Sequence, residues 1–194
     1  MSIGKKNIIL ASILCVSLVT IGVSFAYFVS GSRVTGNGSN VTWEGGDMIH
    51  VSYDAGASAI NLQNVIPGTS ADKDFSVTVT PTDTENTVTY AIVLNISAND
   101  FEKCTSQTAD NMCTLNANEV TYRLTNDEGN ELASGDLTTT NGKVTLLTET
   151  KTVASETTYN YNLEITYVNT NADQNHNENK TFISSLDVEF AETN

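Results

Sequence analysis

Apolar residues alternate with small or polar ones along most of this chain, most densely from Ala59 to Ser97, AINLQNVIPGTSADKDFSVTVTPTDTENTVTYAIVLNIS. Phe75, Val77 and Val79 fall on one parity, and so do Val88, Tyr90, Ile92, Leu94 and Ile96. A period of two places such residues on one face of a β-strand. Pro81 and the polar tract from Thr82 to Asn86 separate the runs and supply turn chemistry. The pattern therefore predicts two neighbouring strands joined by a loop, at the centre of a sheet. On the other face of the second run, Ala91, Val93 and Asn95 are only half polar, as in a strand partly shielded on that side.

The same signals extend in both directions. Val41, Trp43 and the stretch from Met48 to Tyr53 predict a first strand or strand pair around Gly45 and Gly46, with His50 as a surface or hydrogen-bonded residue in it. Turns at Asp54 to Gly56 and at Pro67-Gly68 bracket a strand carrying Ile60 and Leu62. Downstream, Val120, Tyr122 and Leu124 form a strand that stops at Asn126-Asp127-Glu128-Gly129-Asn130, and the return strand starts at Glu131 to Ala133. Asn141-Gly142 marks a turn before strands at 143–148 and 158–169. A final strand spans 181–190, with Phe182, Leu186, Val188 and Phe190 on one parity. Tyr159, Tyr161 and Tyr167 share a parity with Leu163 and Ile165, which reads as core and cross-strand pairing rather than a ligand-stacking stripe.

Length and composition turn this list of strands into one domain. The 194 residues include two prolines and evenly spread Val, Ile, Tyr and Phe, which suits a single all-β, antiparallel two-sheet sandwich over 47–194. A chain of this size buries roughly 70% of the surface it exposes when unfolded, so packing alone can hold it. Ahead of the domain, Lys5 and Lys6 precede an uncharged run from Ile8 to Phe28, and Ser24 and Ala26 provide small residues for cleavage between Ala26 and Tyr27. Residues 1–26 are thus a hydrophobic leader helix, either removed as a signal peptide or retained as a membrane anchor. Cys15 lies within it as an apolar residue, since Leu14 stands where a lipobox needs a small side chain. Residues 27–46 contain GSRVTGNGSN, too rich in Gly, Ser and Asn to pack, and form a flexible arm.

The net charge is −14, and removal of Lys5 and Lys6 makes it −16. With few and scattered cations, the chain has no basic patch for nucleic acid, and the acidity favours solubility outside the cell. Beyond the leader the cysteines are Cys104 and Cys113, in the insertion NDFEKCTSQTADNMCTLNANE. In an exported chain such a pair is most simply a disulfide closing a loop at 98–119. Reduced thiols, a metal site and a catalytic thiol are the rivals, the last two lacking further ligands or a histidine nearby. In NTNADQNHNENK, Asp173, Asn175 and Asn177 imitate the first half of a calcium loop, but Glu178 stands where Gly is needed and Ser184 where a bidentate Glu is needed. The segment reads as a polar hairpin loop, with weak calcium binding or His176 as a metal ligand as lesser readings. No catalytic, cofactor-binding or metal residues are nominated.

The leader ending SFAYFVSG, then SAINLQNVIPGTSADKDFSVTVT and TVTYAIVLNIS, resembles the TasA and camelysin family of exported bacterial matrix-fibre proteins. Asn64, Pro67, Gly68, Lys73, Asp74 and Phe75 stand at the matching positions, and the resemblance covers roughly residues 25–97. The resemblance implies a jelly-roll-like sandwich, export through a dedicated signal peptidase and assembly into extracellular fibres. Some members are described as surface metalloproteases, a label this chain departs from, having no HExxH. The expected function is a secreted or cell-surface structural protein, a non-enzyme that self-associates and meets other matrix or surface components. A membrane-tethered adhesion module is the alternative. The expected donor for assembly is the apolar tip Tyr27, Phe28 and Val29, added as a strand to a neighbour's sheet.

Overall fold

The computed structural model describes residues 40–45, 49–54, 59–81, 86–110 and 112–190. These contain ten strands: β1 (Asn40–Gly45), β2 (Ile49–Asp54), β3 (Ile60–Gln63), β4 (Ser70–Pro81), β5 (Asn86–Asn99), β6 (Val120–Asn126), β7 (Glu131–Asp136), β8 (Gly142–Val153), β9 (Thr157–Tyr167) and β10 (Thr181–Phe190). Every pairing is antiparallel. One sheet has the order β3-β10-β5-β8 and the other β1-β2-β4-β9-β6-β7. With the β1–β2 hairpin set aside, the four-strand orders β3-β10-β5-β8 and β4-β9-β6-β7 are those of an eight-stranded jelly roll. The fold is thus an all-β sandwich of the expected kind, with a hairpin added beside β4.

The alternation explains the core. Phe75, Val77 and Val79 of β4, and Tyr161, Leu163, Ile165 and Tyr167 of β9, are buried from one sheet. Tyr90, Ile92, Leu94 and Ile96 of β5, and Phe182, Leu186 and Val188 of β10, are buried from the other. Tyr161 and Tyr167 of β9 are therefore core residues, whereas Tyr159 is only partly buried and carries the Lys151 amine 4.7 Å from its ring centre. Phe75 stacks on Tyr161 at 5.1 Å between ring centres. Ser184 fills the gap in the β10 pattern, buried beside a register shift between Ile183 and Ser184.

Two expectations are corrected. The runs around Phe75 and Ile92 are not neighbours in one sheet: β4 pairs with β2 and β9, and β5 with β10 and β8. Both present an apolar face, and two such faces can be buried by facing each other across a sandwich as well as by sharing a sheet. The arm bounded at 46 is also too long. Residues 40–45 pair along their whole length with β2, Trp43 opposite Val51, so the sheet begins at Asn40.

The Asn64, Pro67 and Gly68 positions of the family resemblance form the β3–β4 turn, where the amide of Thr69 donates to the carbonyl of Ile66 at 3.1 Å. Asn64 and Gly68 both have positive φ, 52° and 94°, which Asn tolerates and Gly adopts without strain. The turn lets the chain leave the smaller sheet and enter the larger one within six residues.

Candidate functional site

The strand registers bring the β3–β4, β5–β6, β7–β8 and β9–β10 connections to the same end of the sandwich. At that end Glu119, just before β6, is fully buried. Its Oε2 accepts from the amides of Gln174 at 2.8 Å and Asn177 at 2.9 Å, and its Oε1 lies 2.9 Å from His176 Nε2. Asn177 also donates to the carbonyl of Glu102 and accepts from its amide, so one side chain ties the β9–β10 loop to the β5–β6 loop. A 3-10 turn at Asn175–Asn177 aims these groups inward. The nearby Tyr167 hydroxyl has its pKa pushed up to about 12, by burial and then by the charge of Glu119.

This arrangement disposes of the calcium imitation. Asp173 accepts from the amide and side chain of Asn175, while Asn177 turns away into the interior, so the oxygens at alternate positions do not converge. His176 gives its Nε2 to Glu119, and its Nδ1 is buried without a hydrogen-bond partner. Among the described residues no group of three His, Cys, Asp or Glu side chains is gathered to hold a metal.

Cys104 and Cys113 form the disulfide, with Cα atoms 6.2 Å apart, and both are buried. On either side of Cys113, Met112 and Leu115 are exposed. Closure of so short a loop contributes about 2–3 kcal/mol. Cys104→Ser is therefore expected to lower the unfolding free energy by an amount of that order, read as a lower urea midpoint, and leave the β-sheet circular dichroism intact, because the core strands lie outside the loop.

An open groove of 420 Å³ at the same end is lined by Asp100, Glu102, Thr139, Asn141 and Lys180 around buried Asn99 and Phe101. Asn99 is structural, donating to the carbonyls of Leu137 and Thr140. Phe101 packs edge-on against Tyr167 and offers no aromatic platform to a ligand.

A second polar cluster joins the two sheets. Tyr161 of β9 donates to Glu149 Oε2 of β8 at 2.5 Å, Tyr90 of β5 meets the Tyr161 hydroxyl at 2.5 Å, and Lys151 donates to Glu149 Oε1 at 3.0 Å. Burial raises the Glu149 carboxyl, but the bonds from Tyr161, Lys151 and Tyr90 and the charge of Lys151 together hold it below its ordinary value. Asp136 is likewise lowered: burial acts upward and is outweighed by Lys103 and Thr138. A carboxyl depressed in the folded state adds stability above its unfolded pKa and loses it as pH falls through the folded value. Asp187, raised mainly by burial, has the opposite sign. Between roughly pH 5 and pH 3 the wild-type thermal midpoint is expected to fall more than that of Glu149→Gln, which has no such proton to take up.

The remaining interaction surface is the sheet edges. Among the described residues, β1 and β7 are the edges of the larger sheet and β3 and β8 those of the smaller. β8 carries Lys143 and Lys151, charges that discourage strand addition, whereas β7, ELASGD, has neither Lys nor Pro.

The Ala26–Tyr27 junction and the donor residues Tyr27, Phe28 and Val29 lie outside the described residues. Glu119, Gln174 and the Tyr90–Tyr161–Glu149 link are not marked by any sequence pattern. Glu119 even lies on the parity opposite to Val120, Tyr122 and Leu124, and it is enclosed by Gln174, His176 and Asn177 of the β9–β10 loop. No family model and no curated protein matches this chain. Among solved structures, the crystal structure of the CupB6 tip adhesin from Pseudomonas aeruginosa matches with a TM-score of 0.24 and 12% identity, over 68% of this chain and 36% of that one. The chain thus spans about a third of that protein's length.

Proposed function

We propose that this chain is an exported structural protein, a subunit of an extracellular fibre or matrix like the TasA and camelysin proteins it resembles. The observation that carries the reading is the placement of the open edges. The arm runs into β1 at one side of the larger sheet, and β7, which has neither Lys nor Pro, lies at the opposite side. A strand given from the β1 side of one copy to the β7 side of the next makes a heterologous contact, which propagates as a filament unless the rotation between copies closes it into a ring. Main-chain hydrogen bonds supply the affinity. The acidity of the chain and its scattered cations leave self-association and neutral or cationic matrix components as the compatible partners, and not nucleic acid.

Negative-stain microscopy of the secreted, purified chain, with its N-terminus sequenced, tests the reading. Filaments built from a chain that starts at or near Tyr27 are expected. Dispersed single particles at high concentration, or a full-length chain recovered only from membranes, would favour the tethered adhesion module instead.

A further inference from the structure

The two limbs of the disulfide loop lie side by side at its neck, where the amide of Asn116 donates to the carbonyl of Cys104 at 2.8 Å. Just outside that pair, Lys103 Nζ donates to Asn118 Oδ1 at 3.0 Å and lies 2.7 Å from Asp136 Oδ2. Asp136 sits at the end of β7, and its other oxygen is held by the amide of Thr138 at 3.0 Å and by the Thr138 hydroxyl at 2.5 Å. The carboxyl is thereby fixed with one oxygen aimed at the amine. The Lys103 and Asp136 side chains are 29% and 25% exposed, so the amine and the carboxyl are partly shielded while the Asn118 carboxamide faces solvent. An amine in hydrogen-bond contact with a carboxamide, with a base at hydrogen-bond distance from the amine, brings together the groups that acyl transfer needs.

We propose that the folded chain joins Lys103 to Asn118 through an intramolecular isopeptide bond, with Asp136 as the proton carrier. Asp136 Oδ2 takes a proton from the Lys103 ammonium, and the freed Nζ lone pair attacks Cγ of Asn118. The new N–C bond forms, and the bond from Cγ to the carboxamide nitrogen breaks. Of the three ammonium hydrogens, one stays on the new amide, and two leave with the Asn118 nitrogen as ammonium, one of them by way of Asp136. No oxidant or further reactant enters. The competing nucleophile for the same carbon, the amide nitrogen of Glu119, is held away by donating to Thr138 Oγ1 at 2.8 Å. The link would close a ring around the Cys104–Cys113 disulfide and persist when that disulfide is reduced.

Intact mass spectrometry and peptide mapping of the purified chain after reduction test this. The wild-type mass is expected to be lower than the sequence requires by one ammonia, with Lys103 and Asn118 recovered in one branched peptide. K103R and D136A are expected to show the full sequence mass. A wild-type chain at full mass overturns the proposal without reference to whether any variant folds, and a D136A chain that still loses ammonia overturns the role given to Asp136.

Discussion

Glu119→Ala is expected to destabilise the domain by about 3–5 kcal/mol, the usual cost of breaking a buried polar pair from one side. The substitution removes the acceptor for two buried amides, from Gln174 and Asn177, and the partner of His176 Nε2. Buried donors without acceptors cost about 1–3 kcal/mol each, and water has little room to replace the carboxyl at a fully buried position. The damage should be local in origin and wide in effect, since Asn177 also bonds the backbone of Glu102 and Gln174 bonds Val168. Amide hydrogen exchange is expected to rise across 168–180 and 100–104 before the strands open. Glu119→Gln keeps one acceptor oxygen and should lose less. Equal stability of Glu119→Ala and wild type in urea titrations would show that the cluster does not hold the loop end.

How much of this was legible in the sequence depended on whether the information was periodic. β4, β5, β9 and β10 announce themselves because a two-residue period puts Val77, Ile92, Leu163 and Leu186 on buried faces whatever their neighbours are. Periodicity says which face is buried and nothing about which strand lies beside which. That is why β4 and β5 read as sheet neighbours when they belong to opposite sheets. Turns with a backbone requirement were readable too, as at Gly68 and Gly129, both with positive φ. Glu119 was not readable, because a lone Glu before a strand looks solvated until the β9–β10 loop, some fifty residues later, supplies its amides. The Lys103–Asn118–Asp136 group was hidden for the same reason. Its members come from both limbs of one loop and from the end of β7, and no spacing rule connects them.

Removing Tyr27, Phe28 and Val29 from the mature chain is expected to abolish filaments while leaving the monomer's fold unchanged. The three residues are an apolar cluster at the head of a segment otherwise rich in Gly, Ser and Asn. Replacing Phe28 and Val29 with Asp should act the same way, because a charged strand cannot bury its side chains in a neighbour's pockets and adds repulsion to a surface already acidic. The effect on assembly is all-or-none in kind, since each contact in a heterologous filament uses the same donor and the same acceptor. The effect on stability is small, since strand addition lies outside the sandwich. The most direct measurement is therefore negative-stain electron microscopy of the mature chain beside its 27–29 deletion, at equal concentration and with matched circular dichroism. Filaments from the first and dispersed particles from the second are the predicted result, and filaments from both would contradict the account.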